Sequence, residues 1–220
     1  MSGFTRTPKL TRGAIVSIDI FSPIPQVIVF QYNPESLTRS LQPQVKSGEA
    51  ESQTETYSLS GPPKETISLD IELDAIDELE KPDQNQNAVQ LGIYPKLSAL
   101  EMILYPKSSL VIANTILAAT GNIEISPPAG PFTVFIWGLK RLVPVRLEQF
   151  NIKEEAYDTN LNPMMATVSL TMRVLTYKDF DLLHPGYAMF LAHQVVKETM
   201  AAISSVNSLS AIGSAEVKLF

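Results

Sequence analysis

The sequence predicts a mainly β (α+β) fold: antiparallel strands curling towards a barrel or a two-sheet stack, with a short flanking helix and a C-terminal helix. Three observations carry this. Apolar residues alternate with polar ones over Ala166–Val174 and again over Ile67–Leu73, the period of a half-buried strand. The stretches Val27–Phe30 and Phe132–Trp137 are nearly continuous apolar runs, suited to strands buried on both faces. Helical periodicity occurs in only two segments.

In chain order, Ala14, Val16, Ile18 and Ile20 alternate largely with polar neighbours and read as the first strand. Val27–Phe30 follows, and a third strand with Leu37 and Leu41 is entered from the turn at Asn33-Pro34. Ile67, Leu69, Ile71 and Leu73 share one face of the next strand, with Asp70, Glu72 and Asp74 on the other. Further on, Val145 and Leu147 share a face, but Phe150 and Ile152 arrive one residue late. An extra residue near Gln149 restores the inward face, which is what a β-bulge does, and such kinks curl a sheet.

The first helix is predicted from Pro95, with Leu97, Leu100, Ile103 and Leu104 on one stripe and a stop before Pro106. The second runs from Pro185 to about Ser204, and the Ser/Ala-rich residues after it read as a loose tail. Two polar inserts, Gln42–Glu65 and Glu80–Gly92, interrupt the pattern as long loops. The organisation expected is a β domain over 1–178 and a helical extension with a tail over 179–220.

Composition excludes several functions. The chain has 220 residues and no cysteine, so thiol chemistry and disulfides are out and the core must hold itself. A net charge of −6 argues against nucleic-acid binding by phosphate neutralisation. Charged residues make up only 18%, below the usual ~25%, as expected of a surface largely covered by copies or partners. The N-terminal run is broken by Ser17 and Asp19 and reads as no signal peptide. No stretch approaches the ~20 apolar residues of a membrane span.

No enzyme signature emerges, and the expectation is a protein without catalytic residues, cofactor or metal. His184 precedes Pro185 at a helix start, and His193 lies within the helix in an ordinary polar or capping role. Neither has zinc-ligand spacing, and the phosphate- and nucleotide-cradling glycine motifs are absent. Asp70, Glu72 and Asp74 are spaced to share one strand face about 7 Å apart, either as a solvated outer face or as a charged surface towards a channel or basic partner. Trp137, followed by Gly138, suits a core aromatic at a strand end or an interface anchor.

Three ordered segments carry a resemblance: FQYNPESLTRS (30–40), GPPKETISLDIELDA (61–75) and FIWGLKRLVPVRLEQFNIKEEAYDTNLNPMMATVSLTMRVL (135–175). Together they resemble the tube-type proteins of contractile injection systems, the phage-tail-like machines, over residues 13–177. The resemblance implies a tail-tube-like β domain and six copies in a ring around a channel. It implies a structural role as baseplate adaptor or tube initiator, between the inner tube protein and the spike hub. It also implies assembly in the cytoplasm into a particle that is released or attached to a membrane. Many such adaptors end in a LysM-like segment, and this chain instead has the helix from Pro185.

Residues suited to such contacts are Thr54, Thr56, Tyr57 and Leu59 in the first insert, Trp137, and Met189, Val196 and Met200 on a second apolar side of the C-terminal helix. The partners expected are copies of the chain, the inner tube protein, the hub and other baseplate proteins. Two other function classes compete: a stand-alone ligand-binding β-barrel module, and a hydrolase working through the acidic cluster.

Overall fold

A computed structural model describes residues 11–19, 25–45, 59–119 and 130–212. Seven strands form one antiparallel sheet: β1 (Ala14–Ile18), β2 (Gln26–Val29), β3 (Leu37–Val45), β4 (Leu59–Asp74), β5 (Phe132–Ile136), β6 (Leu142–Tyr157) and β7 (Pro163–Val174). Their spatial order is β2-β1-β5-β6-β7-β4-β3. Among the described residues five helices accompany them: α1 (Ile76–Leu79), α2 (Gln86–Leu91), α3 (Tyr94–Glu101), α4 (Ser108–Ala119) and α5 (Pro185–Ile212).

The sheet does not close, which corrects the expected barrel or two-sheet stack. Among the described residues β2 pairs with β1 alone and β3 with β4 alone, so they are the two edges. The place of an opposing wall is taken by helices. Leu97, Leu100 and Ile103 around α3 and Phe190 of α5 join the same buried cluster as the inner face of the sheet. Helix-on-sheet packing solves the same burial problem as a second sheet.

The inner face follows from the registers. Ile67, Leu69, Ile71 and Leu73 of β4 stand opposite Met172, Leu170, Val168 and Ala166 of β7, and all eight are buried. Fully burying side chains of this size contributes roughly 1.5–3 kcal/mol each. On β6 the register shifts between Leu147 and Gln149, leaving Glu148 unpaired, after which Phe150 and Ile152 stand opposite Leu170 and Val168. The expected bulge is there, and it keeps both faces in phase.

Elsewhere the apolar runs mislead. On β1 the buried inner pair is Ile15 and Ser17, and Ile18 is exposed, so the alternation read through Ala14, Val16 and Ile18 marks the outer face. Ile20 lies outside the described residues. β2 is an edge strand rather than a doubly buried one, with Val27 56% and Val29 53% exposed.

The two polar inserts are more structured than loops. Gln42–Val45 and Leu59–Glu65 extend β3 and β4 as a two-stranded arm, with register shifts around Gln44. Pro62 and Pro63 are tolerated because they fall in the register shift between Gln42↔Lys64 and Gln44↔Gly61 on the β3 side, and β7 pairing begins only at Thr66 on the other. The second insert holds α1's exit and α2. α5 runs past Ser204 to Ile212, correcting the loose tail over those residues. No glycine or proline interrupts it between Gly186 and Gly213, and alanine favours the helix.

The two Asn-Pro turns do different work. The Asn33 side chain accepts from the Gly13 N–H at 2.9 Å and donates to the Thr11 carbonyl at 3.0 Å, clamping the entry to β1. Asn162 closes the β6–β7 hairpin: its N–H and Nδ2 donate to the Asp158 carboxylate, both at 2.8 Å. These bonds hold that carboxyl below the usual range.

Candidate functional site

Three surfaces stand out: the two sheet edges, the outer face of β4–β7–β6, and the flank where α5 meets β3 and β4.

The outer face of the central strands is polar in rows. Asp70 stands opposite Ser169, which stands opposite Asn151; Glu72 stands opposite Thr167 and then Lys153. Ser68 and Thr171 hydrogen bond across the pair at 3.2 Å. Asp70 and Glu72 are exposed there, beside a shallow depression lined by Tyr32, Asn33, Pro34 and Glu35. Asp74 is drawn out of this group. Its carboxylate accepts from the Ile76 N–H at 2.7 Å, and its own N–H donates to Gln31 Oε1 at 3.1 Å. It holds the turn into α1, so the acidic triplet is a pair on an open face plus one structural residue. Among the described residues no cluster of three or more histidine, cysteine or carboxylate groups could hold a metal.

The α5 flank is built on Glu65 of β4, which is buried. Arg39 of β3 approaches one carboxylate oxygen at 2.6 Å and Lys197 of α5 the other at 3.0 Å. Burial alone pushes the Glu65 carboxyl up. The hydrogen bonds and charges of Lys197 and Arg39 outweigh it and hold the group below the usual range. One turn before Lys197, His193 is only 8% exposed, and its Nδ1 has no hydrogen-bond partner among the described residues. Burial, with Lys197 and Arg141 nearby, lowers its pKa despite the opposing effects of Glu65 and the Lys140 carbonyl. The histidine read as an ordinary polar residue is therefore a buried one. Beside it a cleft of about 490 Å³ opens between α5 and the β3–β4 arm, walled by Leu41, Pro62, Pro63, Tyr177 and Phe190.

α5 is anchored at its start. His184 Nδ1 accepts from the Gly186 N–H at 3.0 Å, so this histidine does serve the helix start. Its ring stacks on Phe180 at 4.6 Å and meets Phe132 edge-on at 5.0 Å. Tyr177 packs edge-on against Phe190 at 6.0 Å. Of the residues expected to form interfaces, Met189 and Val196 are half-buried, and Met200 is exposed together with Val195 and Ile203. Leu59 is exposed on the arm. Trp137 is half-buried, stacked on Phe135 at 5.9 Å beside the core cluster, so it faces inward in its own subunit. Thr54, Thr56 and Tyr57 lie outside the described residues.

Sequence reasoning missed α4. None of its described side chains is buried, and Val111, Ile112, Ile116 and Leu117 are exposed. It is apolar around its circumference, so no stripe marked it as amphipathic. Among the described residues no helix is long and apolar enough to cross a membrane. No protein-family model matches the chain, and no curated protein matches it in sequence.

Proposed function

We propose that the chain is a structural ring subunit of a phage-tail-like contractile injection machine, seated at the baseplate between inner tube and spike hub. The observation that carries this reading is the open sheet. β2 and β3 lie at opposite ends of one seven-stranded sheet, and no described strand covers the outer side of either. Such edges invite pairing, and one joint repeated head to tail around an axis closes a ring. Exposed Val27 and Val29 on one edge strand and Leu41 and Val45 on the other are consistent with cover by a neighbour. The motif string over residues 13–177 supplies the machine, six copies and the partners above and below.

In this arrangement the polar rows containing Asp70 and Glu72 face the channel. The exposed apolar side of α5 beyond Lys197 meets an adjacent ring or hub protein, in the position of the LysM-like segment of similar proteins. The assembly is built in the cytoplasm, and the chain has no catalytic step. The test is a double substitution on the edge, Val27→Lys with Val29→Lys, viewed by negative-stain electron microscopy. Both side chains are more than half exposed, so the subunit should fold while rings disappear. Rings that form as in the parent protein would remove β2 from the joint.

A further inference from the structure

We propose that α5 is an acid-released latch: protonation of His193, buried where α5 packs on β6 and next to Lys197, Arg141 and the Glu65 carboxylate, lifts this part of the helix and widens the cleft beside it. This stands apart from the ring assignment and concerns the subunit alone.

The geometry sets the device. Nδ1 of His193 is out of contact with solvent and has no acceptor among the described residues. A proton added there must find a partner, or the ring must reach water. The two cations near it oppose the added charge, and the nearby carboxylate is already engaged. Lys197 follows on the same helix, and Arg141 approaches from the β5–β6 turn, where the Lys140 carbonyl already faces the ring. Among the described residues Glu65 of β4 is the anion that acts on it, and its two oxygens are occupied by Arg39 of β3 and Lys197. Charging His193 puts a fourth cation beside one carboxylate. The response that relieves both the repulsion and the orphaned N–H is withdrawal of the helix side.

The helix is suited to that movement. Its inward stripe is Gly186, Phe190, His193 and Lys197, and every described side chain from Glu198 to Ser205 is exposed. Release from His193 onwards therefore breaks the Glu65–Lys197 pair and widens the cleft along Val174 and Tyr177, while Phe190 stays in the core cluster. The depressed His193 pKa agrees in sign: the docked helix is favoured above the ordinary histidine range and loses that advantage as pH falls below about 6.5.

Hydrogen–deuterium exchange of the full chain at pH 7.5 and 5.5, corrected for intrinsic exchange rates, tests the latch. Protection of the amides of residues 193–200 should fall roughly tenfold on acidification, the limit for one proton over one pH unit. Amides of β4 and β7 should be unchanged. In H193Q the α5 protection should no longer respond to pH. If H193Q does not fold, R141Q carries the test: with one repelling cation gone, the acid-induced loss should shrink. Equal α5 protection at both pH values, an undiminished response in H193Q, or an R141Q response matching the parent protein would overturn the proposal.

Discussion

Nζ of Lys197 lies 3.0 Å from Oε2 of Glu65, tying the C-terminal helix to a strand 132 positions earlier in the chain. Arg39 holds the other oxygen, so one buried carboxylate joins β3, β4 and α5. Replacing it leaves two cations facing each other. Glu65→Gln should cost about 1–2 kcal/mol, below the figure for a fully buried pair because Arg39 and Lys197 are partly exposed and screened. Urea unfolding of the two proteins measures it, with the loss in midpoint and an unchanged slope.

Acid should weaken the same joint and the β6–β7 hairpin together. The Glu65 and Asp158 carboxyls are both held below their ordinary values in the folded chain. Their contributions are complete above the unfolded values near pH 4 and are lost as pH falls through the folded ones. Thermal melts at pH 6, 4 and 3 should show, beyond the loss linked to His193 above pH 4, a further fall in Tm below about pH 4. Asp158→Asn and Glu65→Gln should each flatten it.

Gly92 should tolerate no side chain. Its φ is +56°, and a Cβ there would run into the Pro163 carbonyl oxygen, which is backbone rather than a movable side chain. That close approach lets Ile93 N–H donate to the same oxygen at 2.9 Å and seats α3 on the start of β7. Gly92→Ala should cost about 1–3 kcal/mol from backbone strain, plus the displaced contact. A calorimetric Tm within a degree of the parent protein would show that this junction is not a tight one.

The two ends of α5 should separate by truncation. Phe190 and His193 are buried in the subunit, so cutting before the helix would expose the core, and the informative cut falls after Glu198. That protein should keep its fold, within about 1 kcal/mol, because every described residue removed is exposed. It should no longer co-purify with the neighbouring baseplate protein. Undiminished co-purification would give the distal helix no docking role.

What the sequence made legible follows local periodicity. The stripes of β4 and β7 and the slip near Gln149 could be read because each strand carries its own alternation. Leu97, Leu100 and Ile103 stood out for the same reason at helical spacing. Whether the sheet closes depends on what β2 and β3 meet, and an apolar edge strand such as Val27–Val29 reads like a central one. α4 carries no stripe. The electrostatic surroundings of His193 depend on Lys140 and Arg141 arriving from a distant turn and on Glu65 arriving from β4. No spacing within α5 records that.

The native mass of the purified protein, measured alone and with co-expressed baseplate partners, tests ring assembly most directly. The account predicts a species of six times the 24.2 kDa chain mass, present with the partners and lost in the edge-strand double variant. A 24.2 kDa monomer at every concentration, with and without those partners, would contradict it.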